Sequence, residues 1–383
     1  MQLITQQNEL DALCQQLAQQ SHLAVDTEFI REKTYWPELC LIQVSWDPAL
    51  PDVSSGRSRG GAAAIDTLAD LDLTPFLEIL SNPSITKIFH AARQDLEIFY
   101  RLMGTLPAPI VDTQIMALAL GHAEQMGYEA LVRTVLRRNL AKGQQFTDWK
   151  RRPLTDKQLE YAIGDVTHLL DAYHIMAEQL AGRTAWLADE YAALLDIDNY
   201  EPDINSLWQR VKVRSNDPAV LGRLRAIAAW RETESQRKNL PRGWVMKDEA
   251  LAAIAQNNPK NADALRNVRG TNGLKDQHIT ALLEAMASAQ PIHLPRPDNQ
   301  NPAPKAVIKL LQVLLEHIAE EQSLHPRLIA NASDLNDFAL GKTSILDNGW
   351  RHDIFGQAAR GLLAGDVMMG IRDGRLDLRA INS

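Results

Sequence analysis

Apolar residues recur along the chain with two different periods, and the change of period divides the chain into regions. Short apolar runs rich in β-branched and aromatic residues predict strands at 22–29, 39–46, 62–66 and 86–90. Apolar residues at helical spacing predict helices at 73–80, 93–102, 114–120, 128–136 and 156–180. Strands mixed with helices, followed after residue 112 by helices alone, indicate an α/β domain with all-α modules behind it.

Two polar segments that contain proline predict the domain boundaries. Residues 196–205 are polar and include Pro202, and residues 291–304 contain five prolines and little apolar content. A proline-rich segment such as 291–304 forms a semi-rigid linker. We therefore expect an α/β domain over 1–196, a first helical module over 205–294, a linker over 295–304 and a second helical module over 305–383. The stretch 51–61, rich in Ser, Gly and Arg, is predicted to be a loop.

Composition excludes several classes of protein. The 383 residues are 45% hydrophobic and 23% charged, which excludes global disorder. The longest apolar runs, such as 115–120, are too short to cross a bilayer, so no membrane partner is expected. The first residues lack the basic and apolar regions of a secretory signal, and two cysteines, Cys14 and Cys40, cannot form a disulfide framework. We expect a cytoplasmic protein.

Charge is distributed unevenly along the chain. The net charge of −8, taken globally, argues against a nucleic-acid partner. Residues 209–276, however, contain 14 Lys or Arg against 7 Asp or Glu, and basic residues also cluster at 132–153. Local positive surface on an acidic chain is expected where only certain faces meet phosphate. An ordinary solvated basic helix face is the alternative interpretation.

Two pairs of residues could carry chemistry. Asp26 and Glu28 lie two apart at the end of a predicted strand, so both carboxylates point to one side. Such a pair suits a hard cation such as Mg²⁺, although acids are also ordinary where a strand runs into solvent. Tyr161 and Asp165 share one face of a helix that Thr155 begins with a capping box. Together they could orient a water near a metal, or the tyrosine could simply pack at a helix–sheet seam.

Three further acids follow strands along the chain. Asp95 falls in the first turns of a helix, where it is a candidate ligand but also favours the helix dipole. Asp66 and Asp112 each end a strand, and Asp112 would cap the helix that follows it. We assign structural roles to Asp66 and Asp112.

Taken together, these residues resemble a known family. In chain order, Asp26-Thr27-Glu28, Asp95 and Tyr161-x-x-x-Asp165 resemble the three exonuclease motifs of the DEDD superfamily, and the tyrosine marks its DEDDy branch. The surrounding residues at 26–37, 39–43, 112–114, 147–149 and 152–154 resemble the ribonuclease D family. The first helicase-and-RNase-D C-terminal (HRDC) module of that family is resembled by residues 207–212, 229–232 and 241–244. Its second, more divergent module has a motif that is resembled by residues 348–351.

The chain departs from the family pattern in two places. The stretch 51–61 is longer and more basic than the family pattern, and Ala141-Lys142-Gly143 stands where the family has Asp-Lys-Ser.

The resemblance implies an RNase H-like 3′→5′ exonuclease domain, with a mixed sheet and flanking helices, followed by two small helical HRDC-like domains. The implied activity is metal-dependent hydrolysis of RNA from the 3′ end, with release of nucleoside 5′-monophosphates. Two divalent ions, Mg²⁺ or Mn²⁺, would be held by four carboxylates, those of Asp26, Glu28, Asp95 and Asp165. Tyr161 would align the attacking water by a hydrogen bond rather than abstract a proton, because a free tyrosine has a pKa near 10.

The resemblance also implies partners. The family's typical substrates are tRNA precursors with 3′ extensions, in tRNA 3′ maturation and stable-RNA processing, and we expect a monomer. Two other functions stay open at this point. One is a proofreading-type DNA 3′→5′ exonuclease, since HRDC modules also occur in helicases. The other is a non-catalytic RNA-binding protein with a vestigial site.

An acidic catalytic pocket repels RNA, so affinity must come from basic surface elsewhere. The candidates in the first helical module are Arg223, Arg225, Arg231, Arg237, Lys238 and Arg242. We expect Trp230 and Trp244 to be core residues rather than platforms for base stacking. We also expect a fragment that ends near residue 203 to hydrolyse short RNA without the modules.

Overall fold

The computed structural model describes residues 2–47, 61–140, 147–294 and 302–381. The loop predicted at 51–61 (except Gly61), most of the linker at 295–304 and the departure at 141–143 lie outside these residues. Among the helices of the described ranges, none combines the length and the apolar character that a membrane crossing needs.

A six-stranded mixed sheet forms the centre of the described N-terminal domain. Its strands are β1 (Gln2–Ile4), β2 (His22–Ile30), β3 (Glu38–Trp46), β4 (Gly61–Asp66), β5 (Thr86–Phe89) and β6 (Ile110–Asp112). Their order across the sheet is β1-β4-β3-β2-β5-β6. β3 runs antiparallel to β2 and β4, and the other neighbours are parallel. The strand that ends in the predicted acids therefore lies inside the sheet and not at its edge.

Helices cover both sides of this sheet. They are α1 (Gln7–Leu17), α2 (Thr74–Ser81), α3 (Arg93–Met103), α4 (Thr113–Ala119), α5 (Tyr128–Leu131), α6 (Asp156–Leu180) and α7 (Ala188–Leu194). A π-helical turn at Val132–Leu136 continues α5, and 3₁₀ turns occupy Arg183–Leu187 and Ile197–Asn199. The predicted strands and helices are confirmed to within one residue at each end, except that α5 covers only the first half of 128–136. β1 and β6 were not predicted, because three residues are too few to show a period.

The two faces of the sheet pack against different helices. Val25 of β2 lies in a core with residues of α1, α2 and α3. Its neighbour Ala24 lies in a core with Val166 of α6. Successive strand residues point to opposite faces, so Asp26 and Glu28 share the face of Ala24 and project toward α6.

The first helical module is a compact unit with its own core. It contains a 3₁₀ turn (Leu207–Arg210), α8 (Pro218–Lys238), α9 (Arg242–Val245), α10 (Asp248–Asn257), α11 (Ala262–Arg266) and α12 (Asp276–Ala287). Leu224, Ile227, Leu251 and Leu282 lie in this core.

A polar junction joins the first module to the segment that follows β2. The Tyr35 hydroxyl donates a hydrogen bond to Glu232, and Arg242 holds the same carboxylate through its Nε at 2.5 Å. Asn239 Oδ1 accepts from the backbone N–H groups of Tyr35 and Trp36, at 3.1 and 3.0 Å. The junction therefore depends on hydrogen bonds and charge.

The second module shares its core with the α/β domain. It contains α13 (Lys305–Gln322), α14 (Pro326–Ile329), α15 (Ala332–Ala339), a 3₁₀ turn (Ile345–Asp347), α16 (Gly349–Arg351), a π-helical turn (His352–Gly356) and α17 (Gln357–Ala364). Leu314 and Phe338 lie in one apolar cluster with Leu131 and Met176 of the α/β domain. This module is continuous in packing with the domain before it.

The second module ends in strands, which differs from the expectation of helices alone. β7 (Val367–Arg372) pairs antiparallel with β8 (Arg375–Ala380). The turn between them is Asp373-Gly374, where both residues have positive φ, 51° and 76°. Asp-Gly between two short strands is a strong hairpin signal, so the sequence contained the information that predicts this hairpin.

Candidate active site

Strand β2 presents two of the predicted acids to one side of the sheet. Asp26 and Glu28 alternate with Thr27, and both are half-buried beneath α6. The pairing of β2 with β3 shifts register between Glu28 and Phe29. Irregularities of this kind are frequent beside active sites, where they re-aim a side chain. The end of β2 thus directs two carboxylates at α6.

Helix α6 brings Tyr161 and Asp165 to the same place. Thr155 Oγ1 accepts a hydrogen bond from the backbone N–H of Gln158 at 3.3 Å, and Gln158 Oε1 accepts from the Thr155 N–H at 3.0 Å. The predicted capping box is confirmed. Tyr161 and Asp165 lie one turn apart on one face of α6, and burial together with the nearby Asp165 carboxylate raises the pKa of the Tyr161 hydroxyl.

The carboxylates of Asp26, Glu28 and Asp165 form one cluster. Each offers an oxygen, and these oxygens all lie within 4.8 Å of one another. Asp95, buried in the first turn of α3, is held beside the cluster because its Oδ1 accepts a hydrogen bond from Thr27 Oγ1 at 2.5 Å. The structure thus gathers the five residues that the motifs singled out.

Burial and mutual repulsion dominate the electrostatics of the cluster. Loss of solvation raises the pKa of Glu28, and the charges of Asp26 and Asp165 raise it further. Loss of solvation likewise raises the pKa values of Asp26, Asp95 and Asp165. Without a cation, the cluster retains protons that exposed carboxyls would have lost at neutral pH. Closely spaced carboxylate oxygens are the donors that Mg²⁺ and Mn²⁺ prefer, so these residues fit divalent ions.

Two cavities meet at the cluster. One, of about 390 Å³, is lined by Asp26, Thr27, Glu28, Phe29, His90, Gln94, Tyr128, Tyr161, Asp165 and Leu169. The other, of about 730 Å³, shares Glu28 and Phe29 with the first and extends along residues 30–34 to Trp149 and Lys150. The first cavity contains the carboxylates, and the second leads from them to the segment that contacts the first helical module.

His90 and Tyr128 line the smaller cavity and were missed by the sequence analysis. The Tyr128 hydroxyl donates to the backbone carbonyl of Asp165, and its ring meets His90 with 5.5 Å between the ring centroids. Burial lowers the pKa of His90, which favours its neutral form. No spacing along the chain marks either residue, because only the folded path brings α5 and the end of β5 to α6.

The structural roles assigned to Asp66 and Asp112 agree with their contacts. Asp112 caps α4: its Oδ1 accepts from the backbone N–H of Gln114 at 2.7 Å. The carboxylate of Asp66 accepts two hydrogen bonds from Arg152, at 2.6 and 2.7 Å.

Arg231 differs from its prediction as an RNA contact. It is only 6% exposed, and its guanidinium donates to Asp248 Oδ1 at 2.6 Å and to the Met246 carbonyl at 3.0 Å. A guanidinium that is buried and bonded inside its own module does not reach a phosphate. Arg231 is therefore a structural residue, which corrects the sequence-based prediction.

The other five basic residues lie on or near the surface of the module. Arg237 and Lys238 pair with Glu234, Arg242 pairs with Glu232, and Arg223 donates to the Ala255 carbonyl. Arg225 is half-buried. Of the two tryptophans, Trp230 packs against the core of the module as expected. The expectation for Trp244 is wrong, since its side chain is 62% exposed.

Family profiles match two parts of the chain. A profile described as 3′–5′ exonuclease matches residues 1–181, and one described as HRDC domain matches residues 220–291.

Curated relatives match over nearly the full length. A protein of Sphingobium indicum named Ribonuclease D is 42% identical, with 98% of this chain and 98% of the relative covered. One of Granulibacter bethesdensis with the same name is 40% identical, with 97% of this chain and 95% of the relative covered.

A solved structure shows the same arrangement. The crystal structure of Escherichia coli RNase D, described as an exoribonuclease involved in structured RNA processing, matches with a TM-score of 0.76 and 28% identity. The match covers 95% of this chain and 98% of that one.

Proposed function

The chain belongs to the ribonuclease D family and is a 3′→5′ exoribonuclease of RNA processing, and we propose that the gathered carboxylates and Tyr161 form its active site. The observation that carries this proposal is the meeting of oxygens of Asp26, Glu28 and Asp165 within 4.8 Å, beside a tyrosine hydroxyl. The full-length similarity to ribonucleases D does not favour a DNA-proofreading exonuclease or a vestigial RNA-binding protein.

The 3′→5′ exonuclease family depends on divalent metal ions, and we propose that two ions, Mg²⁺ or Mn²⁺, bind here. When bound, such ions acidify a water and neutralise charge on the reacting phosphate. Asp26, Glu28 and Asp165 would hold the ions directly, because their oxygens already converge. Asp95 would act through water, because Thr27 already engages one of its oxygens.

Tyr161 would orient the attacking water. Burial and the neighbouring carboxylates raise the pKa of Tyr161 above its ordinary value, so its hydroxyl stays protonated at neutral pH. A protonated hydroxyl positions a water by hydrogen bonding and does not abstract its proton. The tilted contact with Trp149, at 6.2 Å between ring centroids, holds the ring in place.

We propose that RNA upstream of the 3′ end follows the larger cavity toward the first module. The cavity extends from Glu28 past Lys33 to Thr34, and Tyr35 next to it contacts Arg242 of that module. The exposed Trp244 lies two residues further on, where its ring could stack on an unpaired base. Arg223, Arg225, Arg237, Lys238 and Arg242 would supply positive charge for the backbone.

The remaining features of the function are also proposals. We propose domain bounds of 1–196, 205–294 and 305–383 with a linker at 295–304, supported by the separate core of the first module. We propose tRNA precursors with 3′ extensions as substrates, in tRNA 3′ maturation and stable-RNA processing. We further propose that the protein is monomeric and cytoplasmic.

A comparison of substrates and metals tests the proposal. A 3′-extended tRNA and a linear DNA of matched sequence are incubated with the protein and Mg²⁺, Mn²⁺ or chelator. We expect nucleoside 5′-monophosphates from the RNA, faster than from the DNA, and none with chelator. Asp165→Asn is the control, because it keeps the side-chain shape and removes a negative ligand. Release of mononucleotides by that variant at the wild-type rate would contradict the proposed site.

A further inference from the structure

Gln43 is a polar side chain in the interior whose hydrogen bonds are unaccounted for. It is 0% exposed, and within the described residues neither its amide nitrogen nor its amide oxygen has a hydrogen-bond partner. Buried amides are nearly always bonded, and an unpaired one destabilises the folded protein. An unpaired amide in the interior therefore requires an explanation.

The position of Gln43 in the sheet places it beside the carboxylate cluster. β2 and β3 are antiparallel, and Gln43 is the direct cross-strand partner of Asp26. Directly paired residues project to the same face, with their Cβ atoms about 4.5–5.5 Å apart. Both side chains therefore lie between the sheet and α6.

The neighbours of Gln43 on β3 confirm which face it occupies. Ser45, two residues further, donates through Oγ to the Val166 carbonyl of α6 at 2.8 Å. Leu41, two residues before, packs in one apolar cluster with Ala162 of α6. The amide of Gln43 thus lies between β3 and α6, where the Ser45 hydroxyl is already bonded to α6.

Asp26 has room for another donor. Oxygens of Glu28 and Asp165 lie within 4.8 Å of an oxygen of Asp26, and ionised carboxylates accept hydrogen bonds but donate none. A carboxylate accepts more than one hydrogen bond, and carboxylates that bind metals are commonly held by such further donors.

We propose that Gln43 is a positioning residue for the metal site: its amide N–H donates to the Asp26 carboxylate when divalent ions occupy the cluster. This inference rests on the proposed function, since it assigns to Asp26 a metal to hold. Ionised and metal-bound Asp26 needs a fixed orientation, and Gln43 supplies it from the adjacent strand.

A variant with the same shape and no amide tests the role. Gln43→Met replaces an unpaired polar group with an apolar one of similar length. We expect the melting temperature of the metal-free protein to be unchanged or raised, because no hydrogen bond is lost. We expect calorimetric affinity for Mn²⁺ or Mg²⁺ to fall about 10–100-fold, as for other residues that orient a metal ligand. Turnover of short RNA should recover as the metal concentration is raised.

Ser45→Ala is the matched control on the same strand and face. It removes a satisfied hydrogen bond, so it should lower the melting temperature and leave metal affinity unchanged. Unchanged metal affinity in Gln43→Met would overturn the inference, and so would a lowered melting temperature. Gln43→Leu guards against a poor fit of methionine; if both variants fail to fold while Ser45→Ala folds, the amide is structural and the inference is wrong.

The outcomes separate this inference from the proposed function. If the wild-type protein releases no mononucleotides from RNA with either metal, the proposed function fails whatever Gln43 does. If the wild-type protein does release them and Gln43→Met binds metal with full affinity, only the role of Gln43 fails.

Discussion

Each helical module contains a Gly-Trp pair, Gly243-Trp244 in the first and Gly349-Trp350 in the second, and the two tryptophans lie in opposite environments. In the first module, Trp244 is 62% exposed. In the second, Trp350 stacks on Trp186 of the catalytic domain, with 4.7 Å between the ring centroids and 2° between the ring planes. The same local sequence offers an aromatic surface to solvent in one module and fills a domain interface in the other. The shared Gly-Trp sequence therefore does not indicate that Trp244 and Trp350 have the same role.

The apolar cores of the two modules also differ: one belongs to a single module and the other is shared with the catalytic domain. Leu224 and its neighbours form a core that belongs to the first module alone. Leu314 of the second module shares a core with Met176 and other residues of the catalytic domain. Arg351, also in the second module, is 5% exposed and bonds to Asp189 and Glu190 of α7 in the catalytic domain. The first module thus has its own core and contacts the catalytic domain at its surface, whereas the second module forms part of the core of the catalytic domain.

This difference bears on the expected activity of a fragment that ends near residue 203, which stays a prediction. Such a fragment lacks the second module as well as the first, so Leu131, Met176 and Leu187 would lose the apolar partners that the second module contributes to their shared cluster. Exposed apolar surface of that kind destabilises a domain and promotes aggregation. The equal length of the two helical regions suggested equal independence, and the packing shows that they are not equivalent.

The largest effect we expect distinguishes the catalytic domain from both modules. Tyr161→Phe keeps the ring and every carboxylate but removes the hydroxyl that would orient the water. Groups of this kind are typically worth about 10²–10⁴-fold in rate. We expect single-turnover hydrolysis to fall by that factor on short and long RNA alike, with calorimetric metal affinity and RNA affinity almost unchanged. Full activity in Tyr161→Phe would instead make Tyr161 a packing residue.

A pair of core substitutions tests the independence of the modules. Leu314→Ala and Leu224→Ala each truncate a leucine that is 0% exposed, at a cost of about 2–5 kcal/mol. Leu314→Ala should lower the melting temperature of the catalytic domain and impair hydrolysis of short RNA at 37 °C. Leu224→Ala should destabilise the first module and leave that hydrolysis intact. If both variants lost the catalytic domain equally, the contrast between the modules would be wrong.

Stability should depend on pH in opposite directions in the two regions. In the metal-free cluster, burial raises the carboxyl pKa values, for Asp26 to about 6. The folded state then binds more protons than the unfolded state, so stability falls as pH rises from about 4 to about 6 and beyond. In the first module, burial raises the pKa of Glu232, but hydrogen bonds from Arg242 and Tyr35 outweigh it and the net pKa is lowered. That contribution is present above the ordinary glutamate pKa and is lost only in acid.

Thermal unfolding at pH 5 and pH 8, with chelator and with Mg²⁺, measures this difference. Each unit of pKa shift corresponds to about 1.4 kcal/mol. We expect the metal-free catalytic domain to be less stable at pH 8 than at pH 5, and Mg²⁺ to reverse the order because it takes the place of the protons. Asp165→Asn should flatten the metal-free dependence. A metal-free protein that gains stability over this interval would show that the carboxylates do not repel one another as described.

Local and distant information explain what the sequence could predict. The strand at residues 22–30 and the helix at 156–180 show clear periods, and the cap at Thr155 is a local pattern, so these elements were predictable. The acids and Tyr161 were found because their order along the chain resembles known motifs. His90, Tyr128 and Gln43 were not found, because each acquires its neighbours only through the pairing of strands or the packing of α5 on α6. The exposure of Trp244 likewise depends on what covers it.

Truncation of Trp244 and truncation of Trp350 should have opposite effects on RNA affinity and on stability. Trp244→Ala removes an exposed ring that we propose stacks on a base, an interaction worth about 1–3 kcal/mol, or roughly 5–150-fold in affinity. We expect weaker binding of long RNA in chelator, unchanged binding of a dinucleotide and an unchanged melting temperature. Trp244→Phe should restore most of the affinity, since a phenyl ring also stacks.

Trp350→Ala, in contrast, should lower the melting temperature and leave the affinity of the folded protein for long RNA unchanged, because the Trp350 ring stacks on Trp186. Fluorescence anisotropy with labelled RNAs of increasing length, measured beside thermal melts, separates the two. Loss of stability without loss of RNA affinity in Trp244→Ala would give Trp244 the same structural role as Trp350. The proposed difference between the two tryptophans would then be wrong.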